Sequence, residues 1–352
     1  MTTIISIIEQ AVKQDATDIY LLEGQLPKVK IDHKLHSLKG LKPVDSSIIR
    51  RELEDWLSDD QLETTNQNLK FVVDTAFGPL RMALFHANGL ESLHIRPLPA
   101  HPKRLRGLML PDSLGQIIDD RKGLILVAGQ SGSGRSSLIR AMLLERKDSI
   151  IVTCENPVEV LIPSVDSLIV QTDVMKDGLS TTELIAQASQ MNADIIVITS
   201  FDEHPDTAQA IMTAAVSSLV IVECVGNDEV DSLRRFQMLL PNGQHDIGRK
   251  MLSENISCLI STQLIPKTTG GLIPIVGITH FNQSCIDRVK LDDLEGLRIL
   301  VNKGNAQPTS QYVDHILANM VRSQTLSLEN ALKYAVEPSV MKLRAAGIIH
   351  ND

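Results

Sequence analysis

The stretch G-L-I-L-V-A-G-Q-S-G-S-G-R-S-S-L-I-R-A-M-L-L, residues 123–144, carries the pattern that decides the fold of this protein. It starts as an apolar strand, passes through a glycine-rich turn and continues as an amphipathic helix. Residues 129–136 match the phosphate-binding loop (P-loop) pattern G-x-x-x-x-G-K-[ST], with Arg135 in the place of the lysine. A strand, a glycine-rich loop and a helix in this order predict a site for nucleotide phosphates.

The chemistry of such a loop assigns a role to each of its residue types. We expect Gly129, Gly132 and Gly134 to supply positive φ angles and close backbone approach to the phosphates. The following helix would direct its positive N-terminal end toward them. Ser136 is placed to ligate Mg²⁺, and Arg135 keeps the charge of the lysine on a broader, planar group. The alternative is a glycine- and serine-rich turn that binds nothing. The residues predicted to bind the nucleotide in this loop are Gly129, Gln130, Ser131, Gly132, Ser133, Gly134, Arg135, Ser136 and Ser137.

The composition indicates a globular protein without a nucleic-acid partner. A length of 352 residues suggests roughly two domains, and a hydrophobic fraction of 43% is enough to fill sizeable cores. The net charge of −9 argues against nucleic acid as a partner, because binding to phosphate backbones needs clustered Lys and Arg. No apolar run approaches the ~18 residues of a membrane span. We therefore expect a cytoplasmic protein that would reach a membrane only through a partner.

The cysteines lie far apart in the sequence and form neither a C-x-x-C pair nor a metal-ligand spacing. We expect all of them to be reduced thiols in apolar cores. They are Cys154, Cys224, Cys258 and Cys285.

The pattern along the chain predicts an α/β protein of two units joined by a stiff, proline-rich linker. Residues 1–99 predict an α+β unit, residues 100–111 the linker, and residues 112–352 a unit of alternating apolar strands and helices with a helical tail from about residue 308. Continuous apolar strands of this kind predict a parallel sheet that is buried on both faces. The elements predicted in the first unit are helices near 3–14 and 45–65 and strands at 18–24, 28–32, 69–74, 80–86 and 91–96. The strands predicted in the second unit are 123–129, 149–155, 194–200, 219–225, 258–265 and 273–280, the last two joined by a hairpin turn at 268–271.

Further segments on both sides of the linker resemble motifs of one family. Residues 153–159, T-C-E-N-P-V-E, resemble the acidic box E-D-P-x-E, and residues 171–174, Q-T-D-V, resemble Q-R-E-V. On these segments the chain resembles, over nearly its whole length, the secretion-type ATPases of type II and type IV pilus systems, in particular the PilT-like retraction ATPases. The other segments that carry the resemblance are 17–20, 27–31, 81–86, 94–99, 251–254 and 327–335.

The resemblance implies a fold, an assembly and a set of ligands. The fold would be an N-terminal PAS-like α+β domain followed by a RecA-like P-loop core with C-terminal helices. The assembly would be a ring of six subunits, of this chain alone or mixed with an active PilT-type motor, that docks on an inner-membrane platform protein of the pilus. ATP or ADP with Mg²⁺ would lie at the interface between domains. Arg96 would complete that site; the alternative is that it forms a salt bridge at the edge of the linker. Arg81 is a further candidate, and the alternative for it is a solvated strand end.

Two carboxylates of the acidic box are the candidate catalytic residues. In an ATP site, Glu155 and Glu159 would hold Mg²⁺ or a water molecule, as the resemblance implies. The alternative is a strand-end carboxylate that caps the turn before Pro157.

The sequence departs from the family where the chemistry occurs. The family strand V-I-L-V-G-E ends in a glutamate that orients the attacking water, but residues 195–200 read I-I-V-I-T-S, so Ser200 takes its place. A serine hydroxyl cannot serve as a base there, and losing such a group typically lowers the rate by ~10²–10⁵. Ser218 and Val225 replace the two histidines of the family segment T-G-H-L-V…L-H-T. We therefore predict a nucleotide-binding pseudo-ATPase with impaired hydrolysis.

Two alternatives to the pseudo-ATPase remain open at the level of sequence. A slow but genuine motor would use Asp202 or Glu203, just past the strand end, in place of the lost glutamate. A structural ring or adaptor would bind no nucleotide, because Arg135 would block the loop.

Overall fold

The computed structural model describes residues 3–31, 34–57, 69–240, 245–303 and 310–348. Contacts divide the chain into a first unit of residues 1–101 with 157–161 and a second unit of residues 102–156 with 162–352. The short segment 157–161 therefore packs with the first unit, although the chain on both sides of it belongs to the second.

The described part of the first unit is an antiparallel sheet with two helices. Its elements are helix α1 (Ile4–Val12), strands β1 (Asp18–Leu22), β2 (Lys28–Ile31) and β3 (Lys34–Ser37), helix α2 (Ser46–Trp56), and strands β4 (Leu69–Thr75), β5 (Gly78–Ala87) and β6 (Leu90–Pro97). The strand order is β3-β2-β1-β6-β5-β4, and all neighbouring pairs are antiparallel. Apolar side chains of both helices pack with those of the sheet in one core.

Helix α1 illustrates how the sequence builds this unit locally. Thr3 and Ser6 form a reciprocal capping box at its N-terminus, which satisfies two backbone N–H groups that the helix leaves without partners. Ile4, Ile7 and Ile8 recur at helical spacing and are buried against the sheet. The predicted helix near 3–14 is therefore confirmed and ends at Val12.

Two elements of the first unit differ from the prediction. The helix predicted at 45–65 ends at Trp56, because Leu57 already has extended backbone angles (φ −113°, ψ 149°); residues 58–65 lie outside the described residues. Strand β3 was not predicted. Its four residues are all exposed, so its sequence shows no alternation between apolar and polar positions.

The second unit alternates strands and helices. It opens with a short 3₁₀ helix, Leu105–Leu108, and helix α3 (Ser113–Ile117). The strands are β7 (Gly123–Gly129), β8 (Ile150–Glu155), β9 (Leu168–Asp173), β10 (Ile195–Ile198), β11 (Leu219–Val225), β12 (Ile256–Pro266) and β13 (Leu272–His280). The helices up to β13 are α4 (Arg135–Leu143), α5 (Val174–Asp177), α6 (Thr181–Gln190), α7 (Pro205–Ala214), α8 (Glu229–Met238) and α9 (His245–Asn255). Those after it are α10 (Gln283–Lys290), α11 (Leu294–Lys303), α12 (Val313–Arg322), α13 (Leu328–Tyr334) and α14 (Pro338–Ala345).

The sheet of the second unit confirms the predicted parallel arrangement. Its order is β13-β12-β7-β11-β10-β8-β9, and only the pair β12–β13, joined by the predicted hairpin turn, is antiparallel among the described strands. All seven residues of β7 are buried, with helices on both faces of the sheet. Strand β9 was not predicted, because it lies at the sheet edge and most of its residues are only half-buried.

The C-terminal tail is helical, as predicted, over its described residues. Helices α12 to α14 pack around Leu317 and Met341 against Ile265 and Ile275 of the β12–β13 hairpin. Ser327 caps α13, as expected, but that helix ends at Tyr334, and Pro338 opens the next helix instead of ending this one.

All four cysteines are buried and free, in agreement with the expectation of reduced core thiols. No helix in the described part of the chain combines the length and the apolar character that a membrane crossing needs.

The strand order brings the candidate chemistry to one edge of the second sheet. The carboxyl ends of parallel strands meet at the same edge, and Gly129 of β7 pairs there with Val225 of β11. On the next strand, Ile198 of β10 pairs with Cys154 of β8. In open α/β sheets, ligand sites lie at this carboxyl edge.

Candidate nucleotide-binding site

The loop between β7 and α4 depends on three glycines, for two different reasons. Gly132 (φ +79°) and Gly134 (φ +96°) have the positive φ that was expected, in the left-handed region that favours glycine. Gly129 does not have a positive φ, which corrects the expectation. Instead, a Cβ on Gly129 would lie 2.3 Å from Ser133 Oγ and 2.7 Å from the carbonyl oxygen of Thr262. The close approach of the loop to strand β12 therefore excludes any side chain at this position.

Neighbouring elements fix the loop on both sides. Thr262 Oγ1, on β12, donates a hydrogen bond to the carbonyl of Ser133 at 3.2 Å. Gln130 Nε2 donates to Asn227 Oδ1, in the connection after β11, at 2.6 Å. Ser133 is buried, and its Oγ has no hydrogen-bond partner among the described residues. The loop is thus fixed by hydrogen bonds to β12 and to the connection after β11, while the residues at its tip, 130–132, are exposed.

Arg135, which replaces the lysine of the P-loop pattern, turns back toward strand β11. Its Nη1 donates to the carbonyl of Cys224 at 2.5 Å, and its Nε lies 3.3 Å from Glu223 Oε1. Only 12% of its side chain is exposed. The guanidinium charge is therefore paired with a carboxylate of the same unit.

Ser136, the predicted Mg²⁺ ligand, contacts the same carboxylate. Its Oγ donates a hydrogen bond to Glu223 Oε2 at 2.9 Å. Sequence reasoning missed Glu223. The available signal was an acidic residue inside the apolar strand L-V-I-V-E-C-V, since a charge in such a strand needs a partner in the fold.

The charges around the end of β11 also act on the thiol of Cys224. Burial raises the pKa of this thiol to about 12; Arg135 opposes the shift, whereas Glu203 and Glu223 add to it. Cys224 is thus a protonated core thiol. The same interactions place the carboxylate of Glu203 in the electrostatic surroundings of this strand end.

Beyond the end of β10 lies the position where the family carries its water-orienting glutamate. The carbonyl of Ser200 accepts a hydrogen bond from Thr181 Oγ1 at 3.2 Å. Asp202 accepts hydrogen bonds from the backbone N–H of His204 and from Thr207 Oγ1, both at 3.2 Å, so it caps the turn into helix α7. Glu203 is exposed and has a positive φ of 51°.

The two positions at which the family carries histidine lie at opposite ends of β11. Ser218 is buried, and its carbonyl accepts a hydrogen bond from the backbone N–H of Gly123 at 3.1 Å. Val225 is 43% exposed and stands beside Gly129. Neither side chain can exchange a proton as a histidine would.

Glu155 lies in a separate buried polar cluster of the second unit. Its Oε1 accepts hydrogen bonds from Thr153 Oγ1 and Gln171 Nε2, both at 2.8 Å. Its Oε2 lies 3.5 Å from Nη2 of Arg140, on helix α4. Because both oxygens have partners inside the unit, Glu155 holds β8, β9 and α4 together in this arrangement.

The remaining candidates, Glu159, Arg81 and Arg96, belong to the first unit. Glu159 Oε1 lies 2.6 Å from Arg81 Nη1. Arg96 donates from Nε and Nη2 to Asp18 Oδ1, at 2.9 and 2.7 Å, and His94 Nε2 is 2.8 Å from the same oxygen. Burial opposes ionisation of Asp18, but the hydrogen bonds from His94 and Arg96 outweigh it and lower its pKa to about 2.

The structure therefore brings together one continuous group of the predicted residues. Residues 129–137 form the P-loop and the first turn of α4, and Glu223 joins them. The described residues hold no group of three or more His, Cys, Asp or Glu side chains arranged for a metal ion. A magnesium ion at this loop would need phosphate oxygens as further ligands, as is usual for Mg²⁺ in nucleotide sites.

A buried, mostly parallel sheet in which strand β7 leads through a glycine-rich loop into helix α4 is the arrangement of a RecA-like fold. A model of the family described as type II/IV secretion system protein matches residues 2–270. The chain belongs to this family.

Individual relatives align with nearly the whole length of this chain. The type IV pilus retraction ATPase PilT of Pseudomonas aeruginosa is 25% identical over 334 residues, which cover 93% of this chain and 96% of that protein. The type IV pilus ATPase PilU of the same organism is 20% identical over 339 residues, 94% of this chain and 88% of that protein.

A solved structure gives the same result for the fold. The crystal structure of the pilus retraction motor PilT with bound ADP superposes with a TM-score of 0.82 at 25% identity, covering 97% of this chain and 99% of that one. The predicted fold class, a PAS-like N-terminal α+β domain followed by a RecA-like P-loop core with C-terminal helices, is confirmed.

Proposed function

We propose that this protein is a nucleotide-binding ring subunit of a type IV pilus or related secretion machine, with strongly impaired ATP hydrolysis, that modulates pilus retraction and so twitching motility. One observation carries the proposal: the glycine-rich loop and the helix behind it are in place, while Ser200, two residues beyond strand β10, takes the position of the glutamate that would orient the attacking water.

The geometry of the loop supports nucleotide binding. Gly132 and Gly134 keep side chains away from the surface that would face phosphates, and helix α4 begins directly behind them. The PilT structure that this chain resembles was solved with ADP. We infer that ATP or ADP, with Mg²⁺ near Ser136, is the ligand of residues 129–137.

The surroundings of Ser200 support impaired hydrolysis. Asp202, one of two acids that a rebuilt site would use, is occupied in capping helix α7. Arg135 is paired with Glu223, so a bound phosphate would have to compete for its charge. Losing the water-positioning group alone typically lowers the rate by ~10²–10⁵.

The partners follow from the same proposal. Relatives named as a retraction ATPase and a pilus ATPase support a place in a pilus machine. The assembly that we propose is a homomeric or mixed hexamer, with an active PilT-type motor as the partner in the mixed case. The ring would be cytoplasmic and would reach the inner membrane through a pilus platform protein. The net charge of −9 disfavours nucleic acid as a partner.

The experiment is steady-state Mg-ATP hydrolysis at a protein concentration where a ring is demonstrated, with nucleotide binding followed in parallel by thermal shift. We expect a raised melting temperature with Mg-ATP and negligible turnover, because a ligand that binds the folded state alone stabilises it. The double variant Ser200→Glu with Arg135→Lys is expected to gain turnover. If the natural protein hydrolyses ATP and either Glu203→Ala or Asp202→Ala abolishes this hydrolysis, the protein is instead a slow motor. No thermal shift at saturating nucleotide would leave only a structural ring or adaptor.

A further inference from the structure

The most unusual feature of the P-loop region is a carboxylate between its two functional side chains. Glu223 contacts Arg135 through one oxygen (3.3 Å) and Ser136 through the other (2.9 Å). It lies on β11, directly beside the P-loop strand, where it pairs with Val127. Only 11% of its side chain is exposed. This carboxylate is therefore held at the first turn of the helix that would receive the phosphates.

A negative charge at that place is unfavourable next to a polyphosphate unless a cation lies between them. Magnesium prefers oxygen ligands and is usually bound by one or two carboxylates together with substrate phosphates and water. P-loop enzymes hold it with the Ser or Thr of the loop and an acidic side chain from a neighbouring strand. Ser136 and Glu223 are such a pair, and they are already in contact.

The other acids at this edge fit the role less well. Residue 200, two residues beyond the end of β10, is a serine. Asp202 caps helix α7 through both of its oxygens, and Glu203 is exposed beyond the strand end.

A second feature of the loop also points to a ligand: the buried Ser133 Oγ lacks a partner among the described residues.

Resting on the proposed function, we propose that Glu223 is the acidic ligand, direct or through one water, that holds the Mg²⁺ of the bound nucleotide together with Ser136. Strand β11 would then supply the carboxylate that β10 lacks. Arg135 occupies the position of a counter-ion, because its guanidinium contacts the carboxylate that the cation would contact. The proposal concerns cation binding and needs no turnover.

The test is equilibrium binding of a fluorescent non-hydrolysable ATP analogue, mant-AMPPNP, to the full-length protein in excess Mg²⁺ and in EDTA. Partners of a bound metal contribute ~10–100-fold to its affinity, so we expect Mg²⁺ to tighten binding by at least about tenfold in the natural protein. In Glu223→Gln the amide oxygen still accepts the hydrogen bond from Ser136, but the charge is gone. In this variant the ratio of the affinity in Mg²⁺ to the affinity in EDTA should fall close to one, while binding in EDTA is retained. Glu203→Gln is the matched control, since it removes one charge near the same strand end and should keep the ratio.

Each other outcome has a defined meaning. If Glu223→Gln binds the analogue more tightly than the natural protein by the same factor in Mg²⁺ and in EDTA, the proposal is overturned. Glu223 would then only hold Arg135 in place. The proposal would also be overturned if the ratio of the affinities in Mg²⁺ and in EDTA fell close to one in Glu203→Gln. Absence of binding by the natural protein under both conditions would refute the proposed function itself. If Glu223→Gln fails to fold, Glu223→Asp takes its place; its shorter side chain should reduce the Mg²⁺ effect severalfold, and an unchanged ratio would overturn the proposal.

Discussion

The carboxylate of Glu229 and the hydroxyl of Ser261 meet at 2.8 Å in the interior of the second unit. Glu229 is the first residue of α8 and is buried, and Ser261 lies on β12 beside the P-loop strand. Burial, with a contribution from the charge of Asp228, raises the pKa of Glu229 from an ordinary value of 4.5 to about 7, against the hydrogen bond from Ser261 and the charge of Arg298. The carboxyl group is thus held partly protonated near neutral pH.

This pKa predicts how stability depends on pH. A raised pKa means that between about pH 4.5 and 7 the folded protein binds a proton that the unfolded chain has released. The stabilisation is fully present below the unfolded pKa and is lost as the pH rises through the folded pKa, by roughly 3 kcal/mol in total. Glu229→Gln stays neutral and should lose this dependence. Denaturant unfolding at about pH 5 and about pH 8 checks it, and parallel pH profiles for both proteins would contradict it.

Gly277, on β13, faces the same carboxyl group. A Cβ there would lie 2.1 Å from Glu229 Oε1 and 2.6 Å from Ser261 Oγ. Gly277→Ala should therefore lower the free energy of unfolding by about 1–3 kcal/mol, as overpacking of a filled core does. Gly107→Ala is the control, because its nearest neighbour, Lys103 Cβ, would be 3.5 Å away and its φ is not positive. Chemical denaturation of both variants measures the difference; equal stabilities would show that the core yields at Gly277.

Asp18 is expected to stabilise the first unit through its ion pair with Arg96. Its side chain is 4% exposed and accepts bonds from Thr17, His94 and Arg96. Asp18→Asn should destabilise the protein by about 1.5–3 kcal/mol, the range for hydrogen bonds to charged groups. Glu9→Gln, which breaks the exposed Glu9–Lys13 pair, should change stability by no more than about 0.5 kcal/mol. Thermal melts of the two variants test this, and similar melting temperatures would refute it.

The hydrogen bond from Thr262 to the P-loop should matter for ligand binding. Thr262→Val keeps the shape of the side chain but removes the donor to the carbonyl of Ser133, at a cost of about 1 kcal/mol. We expect weaker nucleotide binding, because the loop loses its anchor on β12. Thr279→Val is the matched control: this buried hydroxyl on β13 has no partner among the described residues. Calorimetric titration with nucleotide compares them, and equal affinities would argue against an anchoring role.

Local patterns made much of the fold predictable. The alternation of apolar strands and helices predicted the parallel sheet, and the glycines of residues 129–134 predicted a strand–loop–helix turn, because such features depend on neighbours in the sequence. Strands β3 and β9 could not be predicted in this way. Both lie at a sheet edge, where burial no longer imposes a hydrophobic pattern.

The sequence by itself determined the glycine-rich loop, the parallel core and the serine at position 200, since each is written in a short run of residues. Only the tertiary structure decided which side chains meet. Ser136 and Glu223 are 87 residues apart, and Asp18 and Arg96 are 78 apart. Asp18 and Arg96 meet because strands β1 and β6 are neighbours in the first sheet, and Ser136 meets Glu223 because β11 lies beside β7, the strand that leads into helix α4. Which distant strands become neighbours depends on packing between segments far apart in the sequence, and a local pattern does not specify it.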